Sequence, residues 1–238
     1  MTMDPLVLMT DVEESTEALL RDAEGWAAGV IAEPCGLPGW TVGHVLTHLA
    51  RNADALTNLL VAARTGEPAA MYPTPDARQE GIDAGCRRPL AEQIEDLRAA
   101  HERFADAAAA MPAPAWAVAL PPIRQSAAGV PWARLREVEV HRVDLAQGYT
   151  PADWSDAFAL RLLREIVTAP PADAPPMVLR PLGLEHPLTI GGPVTGGDGP
   201  PVVGGPTKSL AAWLAGRADG ADLTVSGDGE LPKPARWK

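Results

Sequence analysis

From residue 8 onward, apolar side chains return every three or four positions. In LMTDVEESTEALLRDAEGWAAGVI, residues 8–31, they do so behind an acidic first turn, which predicts a helix. EPCGLPG then crowds turn formers together and interrupts it. Thr41 is placed to cap a second helix that runs to Arg64 and closes at Gly66. Thr74 and Pro75 supply a cap and a first position for a short helix. Residues 89–111 are rich in strong helix formers, and Pro131 opens a further helix that ends at Gly148. Between these two, PAPAWAVALPPIRQSAAG predicts an irregular crossover with room for a short extended piece. Four long helices with connections of unequal length predict a helix bundle.

The pattern changes after YTPAD. A helix over 154–168 is followed by MVLRPLG and HPLTIGG, short apolar stretches bounded by Gly and Pro that read as strands. GGPVTGGDGPPVVGGP has neither GxGxxG nor Walker spacing and reads as turns. SLAAWLAGR predicts a helix and ADLTVSG a last strand. The expectation is an α+β chain of two domains, 1–150 and 151–238.

With 238 residues, 46% of them hydrophobic, the chain has the composition of a globular protein with a sizeable core. No apolar run approaches the ~18 residues of a membrane span. The start, MTMDPLVLMTDVEEST, lacks a basic region and turns acidic at once, unlike a secretory signal, so a cytoplasmic location is expected. A net charge of −11, from 31 acidic and 20 basic residues, argues against sequence-independent binding to nucleic acid or anionic lipid. Cys35 and Cys86 are too few for a disulfide framework and are expected as reduced thiols.

The candidate chemistry lies in two pairs spaced four apart, His44 with His48 and Glu137 with His141. Such residues share a helix face, about 6 Å apart along the axis. Bundles hold metals between facing helices, and a His, Glu and His set with one free position is a catalytic zinc layout. From pattern alone, a histidine in an apolar helix is more often a packed residue than a ligand, and Glu137–His141 is equally a surface pair. Glu139 and Asp144 point to other faces, as solvated groups or as supports for a ligand, and His101 and His186 read as surface or loop residues. There is no GxSxG, HExxH or paired-cysteine motif. A His₂Glu set suits zinc and tolerates nickel, cobalt or iron.

Taken together, LPGWTVGHVLTHLARNADALTNLL, ARTGEPAAMYPTPDARQEGI, LREVEVHRVDL, SLAAWLAGRADG and GELPKPARWK resemble one family in order along nearly the whole chain. That family is the mycothiol-dependent maleylpyruvate isomerases of actinobacteria, in the DinB/YfiT-like metalloenzyme superfamily. The resemblance implies an N-terminal DinB-like four-helix bundle and a smaller C-terminal α/β domain. It implies zinc on His48, Glu137 and His141, with His44 outside the ligand set, and active-site arginines at Arg217 and Arg78. It further implies mycothiol as cosubstrate in the conversion of maleylpyruvate to fumarylpyruvate in gentisate breakdown; a monomer is expected, though the sequence does not fix the oligomeric state. Two rival readings share the ligands: a zinc-dependent mycothiol or bacillithiol transferase acting on another electrophile, and a non-catalytic metal-binding module.

Overall fold

Asp4 accepts the Leu6 N–H and Pro5 takes the first position, so helix α1 starts at Pro5 and runs to Glu24. The structure, a computed structural model, describes residues 4–68, 70–191, 199–226 and 229–237. The chain divides into two units, Met1–Gln147 and Gly148–Lys238.

In the first unit, α1 stops well before residue 31. Gly25 caps it, and the remaining apolar residues form a separate 3-10 turn, Ala28–Ala32. Helix α2, Val42–Thr65, opens at Thr41 and closes at Gly66, whose φ of 78° is the left-handed geometry that glycine tolerates. Helix α3, Ala77–Gly85, begins two residues after Pro75, with Thr74 Oγ1 accepting the Ala77 N–H. Helix α4 spans Leu90–Ala109. The crossover contains a small antiparallel pair, β1 (Ala119–Leu120) and β2 (Gln125–Ser126). Helix α5, Val130–Asp144, ends four residues before Gly148.

The long helices pack as α1 on α4, α4 on α2, α2 on α5 and α5 on α1. Asn52 meets Arg134 while His48 meets Glu137 and His141, so α2 and α5 run antiparallel. Leu46, Leu49, Leu56, Leu59 and Leu60 of α2 are almost wholly buried. Each such leucine contributes about 1.5–3 kcal/mol relative to exposure. Helix α3 lies close against the start of α2. A Cβ on Gly43 would stand 2.1 Å from the Cys86 carbonyl, and one on Gly85 would stand 2.6 Å from the Thr47 methyl.

The second unit begins with a 3-10 turn, Pro151–Asp153, and helix α6, Asp156–Thr168. Strands β3 (Met177–Pro181), β4 (Leu188–Ile190), β5 (Val202–Gly205) and β6 (Thr224–Val225) form one sheet in the order β4-β3-β5-β6. β3 and β5 are parallel and the other pairs antiparallel. Helix α7, Thr207–Leu214, packs on α6 and touches β3 and β5. Trp154 and Trp213 are buried in this unit.

The glycine-rich segment departs from its expected reading as turns. Val202–Gly205 is an inner strand, because Val203 is wholly buried opposite Leu179 and the glycines let neighbouring strands approach. Residues 192–198 of that segment lie outside the described residues. Among the described residues, no helix is long and apolar enough to cross a membrane.

Candidate metal centre

Antiparallel packing of α2 on α5 brings His48 opposite the i, i+4 pair Glu137 and His141. His48 Nε2 lies 3.0 Å from Glu137 Oε2 and 3.1 Å from His141 Nε2, and the third edge, His141 Nε2 to Glu137 Oε2, is 3.6 Å. Three ligands about 2 Å from a tetrahedral ion stand roughly 3.3 Å apart, so this triangle has the size of one face of such a site. His48 is buried, whereas the Glu137 and His141 side chains keep 24% and 15% exposure.

The surrounding groups decide where the protons sit. Asp144 Oδ2, 2.8 Å away, accepts from His141 Nδ1 and so turns the lone pair of His141 Nε2 toward the triangle. Arg78 Nη2 donates to His48 Nδ1 at 3.3 Å, which leaves the His48 proton on Nε2, facing both Glu137 and His141. One hydrogen thus serves three converging donor atoms, and a divalent cation in its place would satisfy all three. The donor set, two imidazole nitrogens and one carboxylate oxygen, fits such an ion.

Electrostatics agree with that geometry. Burial pushes the Glu137 carboxyl up, but hydrogen bonds and charge from His141 and His48 outweigh it and hold the group well below the usual carboxylate range. Burial lowers His48 to about 4, so its ring is neutral near pH 7. Burial also opposes charge on His141, yet the bonds to Asp144 and Glu137 win and raise it. Arg136 Nη2 lies 3.8 Å from Glu137 Oε1, the carboxylate oxygen turned away from His48.

His44 stands outside the triangle. Its Nδ1 accepts the Thr41 N–H at 3.1 Å, the returning arm of a capping box, and its ring stacks on Trp40 with centroids 6.0 Å apart. Trp40 also meets His48 edge-on at 5.7 Å and lies under the Arg78 guanidinium at 5.8 Å. Tyr72, which sequence reasoning passed over, hydrogen-bonds Arg78 and interacts electrostatically with Glu137 and Arg134. Nothing in local spacing marks it, since it precedes α3 in an irregular stretch.

Asp144 is 4% and Glu139 7% exposed, so the solvated alternative is overturned for both; Glu139 accepts from Ser15 of α1. His101 is likewise no surface residue. It is 7% exposed on the inner face of α4, and burial followed by the charge of Arg134 lowers it to about 4. His186 is exposed in the β3–β4 turn, as expected. Cys35 and Cys86 are free thiols. Arg217 lies in the second unit just past α7, half-buried, where its Nη1 donates to the Ala215 carbonyl at 2.7 Å.

Comparison with known proteins follows the same line. No curated protein matches the chain. Two crystal structures are similar to it over nearly its whole length: a mycothiol-dependent maleylpyruvate isomerase, TM-score 0.86, and a histidine-to-alanine variant of one, TM-score 0.85. Each is 27% identical, with 99% of this chain and 98% of the other covered. The family model described as the mycothiol maleylpyruvate isomerase N-terminal domain matches residues 12–146, which is more than half of the sequence and contains all three converging side chains. The chain belongs to the mycothiol maleylpyruvate isomerase family, through the N-terminal domain that defines it.

Proposed function

We propose that this protein is a mycothiol-dependent cis–trans isomerase that converts maleylpyruvate to fumarylpyruvate. The observation that carries the reading is the convergence of His48 Nε2, Glu137 Oε2 and His141 Nε2 on one point, within a chain of this family. The ring of long helices supports a DinB-like four-helix bundle as the metal-bearing domain. A smaller C-terminal α/β domain supplies Arg217. Zinc is the ion we assign, on the chemistry of the donor set.

The substrate carries a carboxylate at each end of its chain and a cis double bond conjugated to a ketone. Rotation requires that bond to be single for a moment. A thiolate adding in conjugate fashion achieves this: a carbon–sulfur bond forms and the π pair moves onto the carbonyl as an enolate. After rotation the pair returns and expels the thiolate, so no atoms are gained or lost. His48, Glu137 and His141 would hold a divalent ion, and a thiol bound to such an ion would give up its proton to solvent and be a thiolate at neutral pH. Neither Cys35 nor Cys86 is needed as the nucleophile.

The chain's own residues hold and orient. Asp144 fixes the His141 ring, and Arg136 faces the second oxygen of Glu137. Arg78 presents a guanidinium beside the triad, suited to a planar carboxylate, and we assign Arg217 to the other carboxylate. In a chain of net charge −11, such placed cations are what admit a dianion.

The test is to follow loss of the maleylpyruvate enol absorbance with and without mycothiol, before and after chelation. Conversion that needs both thiol and metal is the expected result. Metal content without thiol-dependent isomerisation would overturn the reading; transfer of the thiol to another electrophile would move it to a transferase.

A further inference from the structure

Arg78 has three partners: His48 Nδ1 at 3.3 Å, the Trp40 ring face at 5.8 Å and the Tyr72 hydroxyl. The first is incompatible with metal ligation. A neutral imidazole carries one proton, and once Nε2 gives its lone pair to a cation that proton resides on Nδ1. Arginine has donors only. The contact then sets donor against donor and must open.

Ligation leaves the Trp40 and Tyr72 contacts undisturbed, and of the two Trp40 alone also touches His48. Its place is fixed by the start of α2, where its N–H bonds the Leu37 carbonyl at 3.1 Å and its ring stacks on the capping His44. Its ring and the His48 ring meet edge to face while the Arg78 guanidinium lies over the indole, so one indole touches both His48 and the arginine. We propose that Trp40 is a positioning residue for Arg78: the indole face, not His48, keeps the guanidinium beside the triad when His48 binds metal. The charge of Arg78 is thereby held ready for a carboxylate, and this last step rests on the function proposed above.

The experiment uses the zinc-loaded full chain and two readouts. The first is the rate at which phenylglyoxal labels Arg78, read by peptide mass. A cation–π contact of this kind corresponds to about a fivefold to tenfold change, so W40L should label Arg78 faster by that factor, and W40F, with a weaker ring face, by an intermediate one. The second is KM for maleylpyruvate, which should rise by a similar factor in W40L while kcat changes less. Adding W40L to R78M should cost nothing more in KM, because both remove one contact.

Equal labelling rates in wild type and W40L, or multiplied effects in the double variant, would overturn the proposal. If W40L loses zinc or fails to fold, W40F decides alone, and a wild-type labelling rate there overturns it too. A wild-type protein without mycothiol-dependent turnover defeats the functional reading, whereas the labelling ratio still judges Trp40.

Discussion

Asp144 Oδ2 sits 2.8 Å from His141 Nδ1, and that one bond determines which nitrogen of the ring faces His48 and Glu137. Asp144 is itself buried, so the bond is shielded from competing water. Carboxylates that orient metal-binding imidazoles are typically worth 10–100-fold in metal affinity. D144A should therefore weaken zinc binding by about that factor, with D144N in between because it keeps an accepting oxygen. Competition against a chromophoric chelator measures it.

The two histidines of α2 should separate cleanly. H48A removes a corner of the triangle and is expected to lose bound metal and isomerase activity. H44A removes an arm of the capping box and the ring stacked on Trp40, so it should keep bound metal and most of the activity, at a cost of about 1 kcal/mol in stability. Metal stoichiometry together with urea denaturation distinguishes them; equal metal loss in the two would reverse the assignment.

Acid should destabilise the metal-free protein partly through His101. Its folded pKa is about 4, against 6.5 for an ordinary imidazole, through burial and the nearby charge of Arg134. Between those values the unfolded chain takes up a proton that the folded chain refuses. The His101 contribution is thus complete above pH 6.5 and is lost as pH falls toward 4. H101L should flatten the decline of unfolding free energy across this window, measured by urea titrations at several pH values.

Arg217 offers a kinetic prediction. R217A should retain zinc while losing roughly 100-fold or more in kcat/KM, the scale expected when substrate orientation fails. It also loses the bond to the Ala215 carbonyl, a cost of about 1 kcal/mol. Steady-state kinetics beside thermal denaturation checks this. A lowered Tm with unchanged kinetics would leave Arg217 a local structural role only.

Much of the frame was legible because local signals and burial agree. Thr41 and Gly66 bracket α2, and α4 follows its run of strong formers. The converging side chains were readable as members of two i, i+4 pairs, but expecting His48 rather than His44 among them took the family resemblance, since both lie on one helix face. The structure supplies the physical reason: His44 spends its Nδ1 on the helix start. What stayed hidden was non-local. Tyr72 reaches Arg78 from an irregular stretch, and His101 turns inward from a charged sequence. β5 was concealed by composition, two valines among glycines, until its pairing with β3 gave them a buried place.

The missing side chains at Gly43 and Gly85 bear on more than local fit. His48 follows the first of these glycines by five residues, and Arg78 precedes the second by seven. Even a methyl group at either point would act as a wedge, prising α3 off α2 and swinging the guanidinium away from the imidazole it faces. Two clearances with no chemistry of their own therefore act as the gauge block for the reactive end, and G43A or G85A would detune it without altering any group that meets substrate or metal.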